Sequence, residues 1–235
     1  VHGENDHLPG LVVDRYDRTL VLKIYTAAWI PHLRDVVTGL RSVAVVERVV
    51  LRLGRAMRSH PDDLYGLADG QVLSGPDIDG PLVFLENNLL FEVDPLRGQK
   101  TGFFLDQRDN RARVEHLADG KRVLNLFSYT GGFSLYAARG GAPAVVSVDA
   151  SHPALVSAEH NFALNRDRYP AVAACHHETV AGDVFEVLSA MARERRLFDM
   201  VIVDPPAFAQ SQAKVKGALR AYRRLTQMAL AVLCP

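Results

Sequence analysis

RVLNLFSYTGGFSLYAARGGAPAVVSVD, residues 122–149, carries the pattern that decides the fold. A short apolar run, RVLNLF, breaks at a Gly-Gly turn. GFSLYAARG then reads as a helix, and AVVSVD is a second apolar run of strand length. Continuous apolar strands joined by a helix belong to a parallel sheet buried on both faces, because each crossover lays its helix over the sheet. The alternation continues with HPALVSAEHNFALN as a helix, AVAACHH (171–177) as a strand and DVFEVLSAMARERR as a helix. DMVIVD (199–204) is then a fourth strand, and KVKGALRAYRRLTQMALAVL (214–233) a long amphipathic helix. The fold expected for residues 96–235 is therefore α/β, a doubly wound parallel sheet.

Upstream the rhythm differs. LVVDRY (11–16) and TLVLKIY (19–25) flank Asp17 and Arg18 as a hairpin would. A helix is expected over Pro31 to Leu40, and a β-branched run follows in SVAVVERVVLRL. PLVFLENNLLFEVD (81–94) reads as a second hairpin, since Asn87 and Asn88 tolerate the left-handed backbone of a tight turn. GLADGQVLSGPDIDGP is loop-rich. Residues 1–95 are expected to form a small α+β domain.

Composition narrows the function classes. Lys plus Arg and Asp plus Glu both number 27, so no net positive field points to a polyanionic partner, and nucleic-acid contact must rest on local patches. No apolar run reaches the ~18 residues of a membrane span, and no leader pattern opens the chain, so a cytoplasmic protein without a membrane partner is expected. Cys175 and Cys234 cannot build a disulfide framework or a C-x-x-C site. The nine histidines show no ligand spacing, and His176-His177 reads as a strand end, so no metal is expected. The chain lacks an initiator Met and stops at LAVLCP. A fragment is expected, with the sheet incomplete at the C-terminus, because DMVIVD would otherwise be an exposed apolar edge. Oligomeric state is not legible.

Ligands of doubly wound sheets sit at the carboxyl ends of the strands. SYTGGF follows the first strand, with Gly131 and Gly132 free to let backbone approach a ligand. Asp149 ends the second strand, near the spacing at which an acid meets a ribose hydroxyl. Asp183 opens a helix after AGD, and Asp204 ends the fourth strand before Pro205 and Pro206. Asp149 and Asp183 also read as helix caps, and the prolines as a plain strand stop. G-x-G-x-x-G and G-K-[ST] are both missing, so no phosphate cradle is present. A ligand with ribose and adenine but no phosphate fits, namely S-adenosylmethionine.

GQKTGFFLDQRDNR (98–111), LNLFSYTGGFSLYAARGGA, VVSVD, NFALN, GDVFEVL and DPPAF (204–208), with GENDHLPGLVVDRY near the start, resemble the bacterial 23S rRNA methyltransferases that form 5-methylcytosine. The resemblance implies a Rossmann-like class I methyltransferase sheet preceded by a small α+β domain. It also implies an N-terminal PUA domain and a C-terminal end of the catalytic sheet that residues 1–235 do not contain. It assigns Phe127, Ser128, Tyr129 and Gly131 to the methionine and ribose side of the cofactor, Asp149 to the ribose and Asp183 to the adenine amino group. Phe104, Asp106 and Arg108 are implied beside the cofactor, with an Asp106–Arg108 structural pair as the alternative.

Asp204 is implied both at the cofactor and as the catalytic group on the target base, where it assists addition of a thiolate to cytosine C6. Pro205 and Pro206 would offer carbonyls to a base amino group, and Phe208 a stacking face. The family's nucleophilic cysteine is expected beyond Pro235, and neither Cys175 nor Cys234 matches it. Arg220, Arg223 and Arg224 form a candidate RNA-phosphate set. Arg108, Arg111 and Arg113 form another charged set, and RERR (193–196) reads as a helix terminus. FLD-x-R and LF-x-Y-T-G are also shared with guanine-N7 rRNA enzymes, and DPP followed by an aromatic resembles the pattern of N-methyltransferases. N-methylation of rRNA or a non-catalytic cofactor- or RNA-binding module is the alternative.

Overall fold

A computed structural model describes residues 1–209 and 211–235, and the chain divides into two compact units, Val1–Asp106 and Gln107–Pro235. Among the described residues no helix is long and apolar enough to cross a membrane. No group of three or more His, Cys, Asp and Glu that could hold a metal ion occurs among them either.

In the first unit β1 (Leu11–Tyr16) and β2 (Thr19–Ile24) form the expected hairpin, with Asp17 in the left-handed region at φ 52°. A 3-10 turn (Ala27–His32) leads into α1 (Leu33–Val43), which takes up Ser42 and Val43 of the apolar run; only Arg48–Leu53 of that run becomes β3. β3 pairs parallel to β2. After the short α2 (Arg55–Arg58) and a 3-10 turn (Pro61–Leu64), β4 (Val72–Ser74) closes the sheet in the order β1-β2-β3-β4. Leu11, Leu22, Ile24, Leu51 and Leu53 supply its core, together with Met57 and Leu64.

The second hairpin is β5 (Leu82–Glu86) and β6 (Leu89–Val93), with Asn87 and Asn88 at φ 47° and 68°. Two successive left-handed residues give the turn whose twist matches that of the flanking strands.

The segment GQKTGFF packs within this first unit. Tyr16 Oη donates to Thr101 Oγ1 at 2.9 Å, Thr101 Oγ1 donates to Asp14 Oδ2 at 2.5 Å, and Phe103 N donates to Tyr16 Oη at 3.2 Å. Buried Arg52 spends Nη1 on the carbonyls of Pro95 and Gly98, both at 3.1 Å, while its Nε pairs with Asp69 at 3.0 Å. Phe103 meets Phe84 and Phe91 at centroid distances of 5.1 and 5.0 Å. Gly98 is required sterically, because a Cβ there would lie 2.5 Å from the Asp94 carbonyl oxygen.

The second unit starts with α3 (Arg108–Leu117) and then alternates. β7 (Arg122–Leu126) is followed by α4 (Gly132–Arg139), and β8 (Ala144–Asp149) by α5 (His152–Arg166) and the short α6 (Pro170–Ala174). β9 (His176–Ala181) leads to α7 (Val184–Arg193), and β10 (Met200–Val203) to α8 (Val215–Ala231). All four strands are parallel, in the order β10-β7-β8-β9. Val123 to Leu126 and Val145 to Val148 are buried, as expected of central strands covered on both faces. One face carries Leu124, Leu126, Val146 and Val148 against Val184, Leu188 and Met191 of α7 and Leu225 and Ala229 of α8. β10 stands at the sheet edge and is only half-buried.

One strand lies elsewhere than expected. AVAACHH is not a strand: Pro170 starts a helical turn that consumes residues 170–174, and His176-His177 opens β9 instead of ending it. Proline at the first helical position costs no hydrogen bond, which makes Tyr169-Pro170 a helix start. His177 is then drawn inward. Its ring stacks on Phe162 at 3.7 Å and 3°, and its Nε2 lies 2.8 Å from Ser147 Oγ. RERR is likewise more than a helix terminus, since α7 ends at Arg193 and Arg196 Nη1 donates to Glu178 Oε1 at 2.9 Å.

Candidate functional site

Each of the crossovers β7-α4-β8 and β8-α5-β9 moves the chain one strand outward; the next returns it so that β10 lies against the other side of β7. The order reverses between β7 and β10, so the crevice at their carboxyl ends is where such a sheet opens to a ligand. Two segments meet there, the loop Phe127–Gly131 after β7 and the elbow Asp204–Phe208 after β10. The Phe127 and Phe208 rings lie 6.4 Å apart, edge to face.

The β7 loop is strained and heavily tied. Phe127, Tyr129 and Gly131 have φ of 57°, 48° and 73°. For the two bulky residues this conformation costs on the order of 1–3 kcal/mol each and persists only where the surroundings impose it. Ser128 N donates to the Val148 carbonyl at 3.0 Å, Tyr129 N to Asp149 Oδ2 at 2.8 Å, and Gly131 N to the Ser128 carbonyl at 2.9 Å. Asn161 Nδ2 holds the Thr130 carbonyl at 2.8 Å. Gly131 serves helix packing, since a Cβ there would meet Ala158 Cβ of α5 at 2.8 Å.

Asp149 accepts Tyr129 N on Oδ2 and Ser151 N on Oδ1, both at 2.8 Å. It thus orients the loop and the start of α5, and each oxygen keeps a lone pair. Asp183 caps α7 through Oδ1, which accepts Phe185 N at 2.8 Å and Glu186 N at 3.2 Å. The capping reading is realised for Asp183 only, since α5 is capped by Ser151 Oγ, which accepts Ala154 N at 3.4 Å; neither arrangement excludes a ligand at the two carboxylates.

Ser128 Oγ, Thr130 Oγ1 and Asn125 Oδ1 are buried without a hydrogen-bond partner among the described residues. Buried orphans of this kind are uncommon and cost about 1–3 kcal/mol each. Two of them, Ser128 Oγ and Thr130 Oγ1, belong to the loop after β7.

The elbow is braced by a residue that the sequence reading passed over. Tyr222 of α8 accepts from Phe208 N at 3.3 Å and donates to the Pro206 carbonyl at 3.5 Å, and its ring lies 4.6 Å from Phe208. Phe208 is consequently half-buried among Phe127, Phe185 and Tyr222. Asp204 is exposed at the tip of β10. Arg220 and Arg223 are exposed on α8, while the guanidinium of Arg224 lies 5.2 Å from the Phe185 ring centroid. The only advance signal for Tyr222 was its helical spacing from Ala218, Leu225 and Ala229 on the buried side of α8.

The FFLDQR residues make ion pairs within each unit. Asp106 binds Lys100 Nζ at 2.9 Å, and Arg108 lies beside Asp109 at 3.3 Å. Lys100 also covers the Phe104 ring at 4.5 Å. Phe104 and Asp106 belong to the first unit and Arg108 to the second. Arg111 leaves the charged set altogether: it is 2% exposed, with its guanidinium 6.0 Å from the Tyr136 ring centroid.

Neither thiol serves this crevice. Cys175 is buried, which pushes its pKa up to about 11. Cys234 N donates to the Phe198 carbonyl, and its Sγ accepts from Arg122 Nη2 at 3.2 Å, at the entry end of β7 and β10. Five strand steps from Asp199 to Asp204 at ~3.3 Å each put the elbow about 16 Å away. At that far end Asp199 chelates the Arg122 guanidinium, which holds its carboxyl well below the usual range.

Comparison with known proteins agrees with this fold. A family model described as S-adenosylmethionine-dependent methyltransferase matches residues 43–235. The chain is 52% identical over 235 residues to a ribosomal RNA large subunit methyltransferase of Deinococcus radiodurans, covering all of this chain and 56% of that protein. It is 37% identical over 234 residues to ribosomal RNA large subunit methyltransferase I of Pseudoalteromonas translucida, covering 99% of this chain and 57% of the relative. The chain thus spans little more than half the length of these curated relatives. A methyltransferase crystallised with S-adenosylhomocysteine superposes over the whole chain with a TM-score of 0.81 at 28% identity, and the match covers 58% of that protein.

Proposed function

The chain belongs to the S-adenosylmethionine-dependent methyltransferase family, and on that premise we propose that it methylates large-subunit ribosomal RNA, forming 5-methylcytosine in 23S rRNA. The observation that carries the cofactor half is the β7 loop, strained at Phe127 and Tyr129 and tied to Asp149, beside the buried orphans Ser128 Oγ and Thr130 Oγ1. The RNA half is supported by the names of the relatives.

Bound S-adenosylmethionine supplies a methyl group on an electron-poor sulfonium. Asp149 would accept the ribose hydroxyls on the lone pairs that Tyr129 N and Ser151 N leave free. Asp183 would accept the adenine amino group at the start of α7, and Phe127, Ser128, Tyr129 and Gly131 would line the methionine side. Asp204 would hydrogen-bond the target base at N3 or its amino group. The Pro206 carbonyl already accepts from Tyr222, so Pro205 offers the freer carbonyl to a base amino group. Phe208 would present its half-buried ring as a stacking face. Arg220 and Arg223 would meet RNA phosphates, with Phe104, Asp106 and Arg108 in supporting roles.

Methylation at cytosine C5 needs a thiolate on C6, and neither Cys175 nor Cys234 fits. That reading therefore requires a thiol from outside residues 1–235. A second reading, methylation of a ring or exocyclic nitrogen, is supported by DPPAF at the end of β10, a pattern that resembles N-methyltransferases, and needs no covalent nucleophile.

Incubating the chain with labelled S-adenosylmethionine and 23S rRNA, then identifying the methylated nucleoside by mass spectrometry, separates the readings. An N-methyl nucleoside supports the second, whereas 5-methylcytosine formed by these residues alone would overturn the need for a thiol from outside them. No labelled RNA despite cofactor binding argues against catalysis by residues 1–235.

A further inference from the structure

A second site lies far along the sequence from the cofactor loop, within the first unit. A cleft of about 290 Å³ opens between the end of β2, the 3-10 turn that follows it, α2 and the turn carrying Leu64. Its floor is apolar, from Met57 and Leu64, and its polar groups come from Tyr25, Thr26 and His60. Tyr25 is an aromatic residue left 51% exposed beside a well-packed core.

The Tyr25 ring is held, not loose. Tyr25 N donates to the Gly10 carbonyl at 2.9 Å, and Gly54 N donates to the Ile24 carbonyl at 2.8 Å. A Cβ on Gly54 would lie 3.2 Å from both Tyr25 Cα and Tyr25 Cδ1, so a glycine there lets α2 begin flush against the ring. Lys23 Nζ lies 5.3 Å from the ring centroid.

His60 is equally fixed. Its Nδ1 lies 3.0 Å from the Ala56 carbonyl, which can only accept, so Nδ1 carries the proton and Nε2 of the neutral ring is left as an acceptor. Thr26 Oγ1 accepts from Ala28 N at 3.3 Å, leaving its hydroxyl proton to donate. A rigid aromatic face with one acceptor and one donor is the chemistry that reads an unpaired base, while phosphates need cations. Arg55 and Arg58 of α2 are both exposed, and Arg58 shares Asp69 with Arg52. The cations nearest the cleft in sequence are thus Arg55 and Arg58 of α2, set against Asp69, which pairs with Arg58, Asp62 on the turn that carries Leu64, and Asp14 and Glu4, which act on Tyr25.

We infer that this cleft docks one unpaired nucleotide of a single-stranded RNA, its base against Tyr25 with an amino group on His60 Nε2, and its phosphates toward Arg55 and Arg58. The inference rests on the proposed RNA substrate and adds a contact point separate from the methylated base. It is tested by fluorescence anisotropy with a labelled single-stranded RNA of about eight nucleotides, within the ~4–16 nucleotide range of such sites. S-Adenosylmethionine titration of the same samples controls the second unit, and a circular-dichroism melt controls the folding of the first, which carries the substitutions.

Tyr25→Ala and His60→Ala weaken RNA binding, the first by roughly tenfold as loss of one base stack predicts. Tyr25→Phe retains near-normal affinity, and all three variants bind S-adenosylmethionine like the parent. RNA affinity unchanged in Tyr25→Ala and His60→Ala overturns the docking cleft and leaves the RNA-methyltransferase reading standing. A parent chain that binds cofactor but no RNA overturns both. Loss of RNA binding in Tyr25→Phe equal to that in Tyr25→Ala overturns the stacking role.

Discussion

Replacing Asp149 with asparagine keeps the shape of the side chain and removes one acceptor oxygen. In the native chain Oδ2 takes Tyr129 N and Oδ1 takes Ser151 N, both at 2.8 Å. Whichever way the amide turns, its NH₂ faces one of these backbone donors, and that bond is lost. A hydrogen bond to a charged acceptor contributes about 1.5–3 kcal/mol, so the free protein is destabilised by roughly that amount. Loss of the Tyr129 bond would release the residue that holds φ 48° in the β7 loop. The amide also forfeits one of the two ribose acceptors proposed above. A second ~1.5–3 kcal/mol appears in cofactor affinity, a rise in Kd of roughly 10- to 150-fold. Isothermal titration with S-adenosylmethionine on a sample shown folded by circular dichroism reads this directly. A Kd within about threefold of the parent refutes the assignment of Asp149 to the ribose and reduces it to a loop anchor.

Three further perturbations probe the same frame. Gly131→Ala places a Cβ 2.8 Å from Ala158 Cβ at φ 73°; left-handed strain plus overpacking costs about 2–4 kcal/mol, seen as a lowered urea midpoint, and an unchanged midpoint would contradict the α4–α5 packing. Tyr222→Phe strips the hydroxyl joining Phe208 N to the Pro206 carbonyl; methyl transfer to RNA falls roughly tenfold, as loss of ~1.4 kcal/mol of positioning predicts, while the Kd for S-adenosylmethionine stays put, and a shifted Kd would place Tyr222 at the cofactor instead. His177 has its pKa pushed down from 6.5 to about 4, first by burial. The unfolded chain therefore binds a proton that the native chain refuses, so stability is full above pH 6.5 and declines as pH falls toward 4, by on the order of 3 kcal/mol. Urea titrations at pH 7 and pH 4.5 should show that decline flattened in His177→Gln, and an equal decline would remove His177 as its cause.

His177 also shows how far periodicity reaches. AVAACHH has the apolar run of a buried strand and is one in composition, yet Pro170 commits the chain to a helical turn and shifts the strand start to His176. A short apolar run cannot tell strand from helix by itself. His177 then completes a buried chain: Asn125 Nδ2 donates to Ser134 Oγ at 2.9 Å, Ser134 lies 2.7 Å from Ser147 Oγ, and Ser147 lies 2.8 Å from His177 Nε2. Those four residues come from β7, α4, β8 and β9, so no local window could have joined them.

What the sequence by itself determined are the features with local causes. The parallel sheet follows from apolar runs alternating with helices. The two hairpins follow from Asp17 and from Asn87-Asn88, whose left-handed conformations few residues tolerate. The strand-end positions of Asp149 and Asp204 follow from where the apolar runs stop. What only the tertiary structure decided are the pairings between distant segments. Lys100 meets Asp106 where the tight turn between Gly98 and Gly102 folds the chain back. Arg111 goes inward beside Tyr136, although its charge reads as surface. Tyr222 reaches the elbow because α8 packs beside β10, and Cys234 is carried to the opposite end of the same strand. Hydrophobic periodicity specifies which face of an element is buried. It carries no information about which polar groups from other elements arrive there, and those arrivals are what shape the crevice and the Tyr25 cleft.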